Sequence, residues 1–122
     1  MTQEEKQLLL KDLCGRLPYG VMINIKSKYV NKFEIGELNG YHIFESSYNI
    51  ENRGLRAYLR PMSSMTEEER KEYINITHAQ NWLIIGEADK YTDWLNVHHF
   101  DYRGLIEKGL ALEAPEGMYK TE

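Results

Sequence analysis

The densest run of chemically capable side chains in this sequence is His98-His99-Phe100-Asp101-Tyr102-Arg103. Two imidazoles and a carboxylate within four positions are potential metal ligands or acid–base groups. Their spacing argues against a shared ion, because neighbours on a helix point about 100° apart. Helical metal pairs favour i,i+4 spacing, as in H-E-x-x-H, and that motif does not occur here. The plainer reading packs His98 beside Tyr91, Trp94 and Leu95 and lets His99 help to end a helix. Asp101 and Arg103 then fix the turn that follows. This structural reading is preferred; His98, His99 and Asp101 stand as the candidates for metal binding or catalysis, and no cofactor is expected.

A second cluster lies in residues 21–60, where Lys26, Lys28, Lys32, Arg53, Arg56 and Arg60 face four glutamates, for a net charge of +2. Tyr29, Tyr41, Tyr48 and Tyr58 interleave with them, and aromatic rings on a basic sheet can stack bases. Arg53, Arg56, Tyr58 and Arg60 are the nucleic-acid candidates. The excess of charge is slight, and Tyr is common in strands for its β propensity alone. Other chemistry finds little grammar. Cys14 lies among Leu10, Leu13 and Leu17 and reads as a small buried hydrophobe. His42 in a strand and His78 on a polar helix face read as structural or solvated. The glycines form neither G-x-G-x-x-G nor G-x-x-x-x-G-K-[ST], and no G-x-S-x-G elbow is present.

The elements that must position these groups follow from capping and periodicity. Thr2 and Glu5 have the spacing of a capping box, and Leu9, Leu13 and Leu17 recur at helical spacing behind it. A helix is predicted from residue 3 to 15 or 16, stopped before Pro18. The period then falls to two. Val21, Ile23 and Ile25 mark one strand, and Phe33 and Ile35, with Leu38, lie on one side of a second. Asn39-Gly40 is a hairpin signal, with 41–45 as the return strand. Residues 55–60 read as a fourth strand closed by Pro61. Thr66 and Glu69 form another capping box, and Glu67, Glu68 and Glu69 suit the positive end of the helix that follows. Tyr73 and Ile76 lie along it. Trp82-Leu83-Ile84-Ile85 fits helix, strand or turn. A last helix is predicted over 89–99, and 114–122 reads as a frayed tail.

The 122 residues carry 15 Lys+Arg against 19 Asp+Glu and a single Cys. That length suits one domain with one core. One thiol can make neither an internal disulfide nor a zinc cluster, and it agrees with a reducing compartment. The net charge of −4 argues against a general electrostatic drive toward nucleic acid or anionic membrane. It averages a neutral residues 1–20, the +2 of residues 21–60 and a −6 in residues 61–122. The acidic start and the short run Leu8-Leu9-Leu10 do not make a signal peptide, and no apolar run is long enough to span a bilayer.

Three stretches resemble one family of short uncharacterised proteins encoded by gut Bacteroides species and their prophages. They are residues 59–69 (LRPMSSMTEEE), 98–106 (HHFDYRGLI) and 109–119 (GLALEAPEGMY). Residues 1–19 look similar too, whereas 21–56 look like the variable part. The resemblance covers about half of the chain and implies a bacterial, phage-associated origin. It supplies no activity, substrate or catalytic residue.

The expected fold is therefore α+β in a single domain over residues 1–122. An N-terminal helix (1–20) precedes a four-stranded antiparallel sheet or small SH3-like barrel (21–60), a helical part (61–113) and the tail. The expected function is a small non-enzymatic cytoplasmic interaction module, borne by a prophage or other mobile element, with a protein as its partner and no membrane. Nucleic-acid binding through the Tyr-rich sheet is one alternative. A metal-dependent enzyme built on residues 98–103 is the other.

Overall fold

The structure, a computed structural model, describes residues 1–81 and 89–119. The run Trp82-Leu83-Ile84-Ile85 lies outside the described residues, as do the side chains of His78 and Tyr91. The chain is α+β, as its periodicities predict. Helix α1 (Gln3–Arg16) begins at the Thr2–Glu5 capping box, with both reciprocal hydrogen bonds formed. Strands β1 (Met22–Lys26) and β2 (Phe33–Glu37) follow, then helices α2 (Gly40–Phe44) and α3 (Ser46–Glu51), and strand β3 (Arg56–Leu59). Helices α4 (Glu67–Asn81) and α5 (Asp89–Val97) lead to strand β4 (Ala111–Glu113). No helix among the described residues is long and apolar enough to cross a membrane.

The sheet is open, in the order β2-β1-β3-β4, rather than a barrel. It is also mixed: β1 pairs antiparallel with β2 and β3, but β3 pairs parallel with β4. Parallel neighbours need a long crossover, here supplied by α4 and α5. The expected return strand at 41–45 is instead helix α2. Asn39 caps it, its side-chain oxygen accepting from the N–H groups of Tyr41 and His42 while His42 Nδ1 accepts from Asn39 N. The fourth strand comes from β4, so the helical part is interrupted near its end.

The core lies on one face of the sheet. Val21, Ile23 and Ile25 alternate inward, join Ala57, Leu59 and Ala111, and pack with Leu9 and Leu13 of α1. A smaller cluster of Trp94, Leu95 and Phe100 forms beyond β3 with Tyr73 and Ile76 of α4. The buried side of α1 is Leu9, Asp12, Leu13 and Arg16, which turns Cys14 outward, contrary to its expected burial. The tail is docked as far as Tyr119 rather than frayed. Met22 N–H donates to the Tyr119 hydroxyl at 2.7 Å, and that hydroxyl donates to Tyr58 C=O at 2.7 Å. Met22 and Tyr58 stand one step past the last paired residues of β1 and β3, so the phenol bridges the point where these strands part.

Candidate functional site

The end of α5 places residues 98–103. His99 N–H donates to Asn96 C=O and Phe100 N–H to Leu95 C=O, the two bonds of a Schellman ending. His99 occupies the position usually held by glycine and has φ 64°. The chain then runs beside β3: Arg60 N–H donates to His99 C=O, and Asp101 N–H to Arg60 C=O, both at 2.8 Å. His98, His99 and Asp101 consequently point to three different environments. The His98 ring stacks on Trp94 at 4.3 Å, with Nδ1 3.5 Å from Glu69 Oε2. His99 stacks on Tyr119 at 3.8 Å, and its Nδ1 is buried with no partner among the described residues. Asp101 accepts from the N–H groups of Leu105 and Ile106 through both of its oxygens. Among the described residues, no three His, Cys, Asp or Glu side chains gather as a metal-ligand set.

Two ion networks flank this segment. Asp12 and Arg16 are fully buried one turn apart on α1. Arg16 Nε donates to Asp12 Oδ2 at 2.7 Å, and Arg16 Nη2 to Phe100 C=O at 2.7 Å. Arg103 reaches the other Asp12 oxygen at 3.0 Å and donates to the Tyr102 hydroxyl, which donates to Asn96. On the far side, Arg60 makes a two-pronged pair with Glu69 at 2.7 and 2.8 Å and lies 4.2 Å over the Phe100 ring. The Arg60 hydrogen bonds, aided by Thr66, hold the Glu69 carboxyl down to about 2 against the opposing effect of burial. Burial, followed by the positive charges of Arg16, Arg60 and His98, brings His99 down to about 4. Burial raises Tyr119 to about 12.

A cleft of about 260 Å³ opens over His99, lined also by Gly20, Met22, Arg60, His98 and Tyr119. It offers two imidazoles, of which burial keeps that of His99 neutral, and no carboxylate lines it among the described residues.

The nucleic-acid candidates are brought onto or beside β3, but their guanidinium groups are already engaged. Arg53 donates to Lys26 C=O and the Asn49 side chain, Arg56 to Leu55 and Gly109 C=O, and Arg60 to Glu69. Tyr58 is half-buried.

A different surface stands out. Seven of the eleven large apolar side chains exposed among the described residues fall within 29–48: Tyr29, Val30, Phe33, Ile35, Tyr41, Phe44 and Tyr48. Lys28 pairs with Glu45 at 3.5 Å, joining the β1–β2 turn to the end of α2. Strand β2 is the free end of the sheet. Its alternation puts Phe33 and Ile35 on one side, and these two stand opposite Lys26 and Asn24 on the face of β1 turned away from the core. No signal in the alternation itself tells which face this is, since an apolar strand face looks the same whether or not a layer covers it.

Comparison with family models, curated proteins and solved structures returns no match.

Proposed function

We propose that this chain is a small non-enzymatic interaction module whose partner is a protein, acting in the cytoplasm and carried by a prophage or other mobile element. The location and origin rest on the single Cys and on the family resemblance. The binding reading rests on one observation, the concentration of exposed apolar side chains in residues 29–48. Large exposed apolar patches mark interaction surfaces more often than chance placement on a monomer. Tyr41 and Phe44, 85% and 86% exposed on a short helix, have the character of anchor residues that bury on contact. The histidine segment, with its side chains committed to ending α5 and pairing buried charges, serves as scaffold.

The test compares three versions of the protein in cross-linking capture from a gut Bacteroides host. These are the natural sequence, a Tyr41→Ser/Phe44→Ser variant, and a control Val97→Ser variant altered at an exposed site on α5. A specific protein retained by the natural sequence and the control, and lost with the double variant at unchanged circular dichroism, is the expected result. A retained set indifferent to Tyr41 and Phe44, or composed of nucleic acid, overturns the reading.

A further inference from the structure

We infer that the free edge of β2 pairs with the same edge of a second copy of this chain, which joins two four-stranded sheets into one. The inference rests on the interaction-module reading and names one partner for part of that surface. Its basis is the direction of the backbone groups. Leu38 N–H donates to Val21 C=O and Ser27 N–H to Lys32 C=O, both at 2.9 Å, at the two ends of a continuous antiparallel register. Bonded and non-bonded pairs alternate in such a ladder, so the residues of β2 tied to β1 are 32, 34, 36 and 38. The N–H and C=O groups of Phe33, Ile35 and Glu37 therefore point away from β1. Because β2 ends the sheet, they form a row of three donors and three acceptors on an open edge.

That row is self-complementary. A two-fold axis through Ile35 sets Ile35 opposite the partner's Ile35 and Phe33 opposite the partner's Glu37. Every pair so formed joins outward-pointing groups to outward-pointing groups, and the outer faces of the two sheets stay continuous. Side chains agree with this register. Ile35, 57% exposed, meets the partner's Ile35 directly, and Phe33, 52% exposed, meets it diagonally, so that the four side chains form one continuous apolar strip. Lys26 stands beside Phe33 on β1. Each cross-strand row therefore runs Lys26, Phe33, the partner's Glu37, with opposite charges at either side of an aromatic ring. On the other face Glu34 falls opposite the partner's Gly36, and Gly36 has no atom within 4 Å of where a Cβ would stand. The carboxylate thus stands over open space, and its nearest like charge is the partner's Glu34, diagonally across the axis. The opposite edge of the sheet, β4, has only three residues and offers no comparable row.

Sedimentation across micromolar to submillimolar concentration tests the inference. The natural sequence is expected to dimerise. Ile35→Lys sets like charges face to face across the axis and is expected to weaken the dimer at least about tenfold at unchanged circular dichroism. Lys26→Glu alone weakens it, and Lys26→Glu with Glu37→Lys restores it; this reciprocal pair decides the matter should Ile35→Lys fail to fold. A protein monomeric throughout, or a dimer indifferent to both sets of substitutions, overturns the inference. A monomer that still captures a protein through Tyr41 and Phe44 would overturn the second copy alone, whereas a dimer that captures nothing would overturn only the module reading.

Discussion

His99 holds a left-handed backbone conformation that costs a non-glycine residue about 1 kcal/mol. His99→Gly and His99→Ala both lose the stack on Tyr119, but only glycine relieves the backbone. The glycine variant should therefore be more stable than the alanine variant by about 1 kcal/mol in urea unfolding. Equal stabilities would contradict the left-handed conformation. The same ring shapes the response to acid. Its folded value of about 4 lies below the ordinary 6.5, so the unfolded chain takes up the proton first. The stabilisation is present above about pH 6.5 and is lost as pH falls through about 4. His42, lowered by burial and by Arg53, adds to this window. Glu69, at about 2 against an ordinary 4.5, contributes stability present above pH 4.5 and lost as pH falls through about 2. Unfolding series from pH 7 to 2 should show both declines, the upper one reduced in His99→Gly and the lower one in Glu69→Gln. The pairing of Thr66 with Glu69 was legible in the sequence as a capping box. The pairing of Glu69 with Arg60 was not, because nothing local places a guanidinium beside that carboxylate.

Asn39-Gly40 shows how one dipeptide serves two elements. Asn tolerates the positive φ of a tight hairpin, and its side-chain oxygen equally suits a helix N-cap. Here Asn39 is extended, with φ −137° and ψ 176°, and its side chain accepts from two N–H groups of α2. Asn39→Ala should cost about 1 kcal/mol, with most of it recovered in Asn39→Ser, as read from denaturant midpoints. Indifference to both substitutions would sink the capping role. The choice of helix over strand follows from the neighbourhood: Ile43 packs on the core, while Tyr41 and Phe44 face outward. Strand β4 escaped sequence reading for another reason. Three residues are too few to show a period of two, and they become a strand only beside β3.

Asp12 ties distant parts of the chain together. It binds Arg16 on its own helix and Arg103, 91 residues away, while Arg16 reaches Phe100 C=O across 84 residues. Removing one member of a fully buried pair leaves an uncompensated charge, so Asp12→Ala should cost about 3–5 kcal/mol. Replacing both partners by apolar groups, as in Asp12→Leu/Arg16→Met, should cost clearly less than the sum of the two single changes. A double-mutant cycle with additive effects would exclude this coupling. The network also explains why residues 98–103 look catalytic in the sequence. Arg103 ties the segment to α1 through Asp12 and Asp101 fixes the turn that follows, tasks that use the same residue types as chemistry.

Capping boxes, strand alternation and helix stops depend on contacts within about four residues, so the sequence by itself determined α1, β1, β3, the start of α4 and the α+β class. Burial and charge pairing depend on neighbours that arrive from elsewhere in the chain. Only the tertiary structure decided that Asp12 and Arg16 are core residues, that His98, His99 and Asp101 part company, and that Phe33 and Ile35 face outward. The Tyr119 hydroxyl, bonded to a backbone N–H 97 residues away, makes the same point.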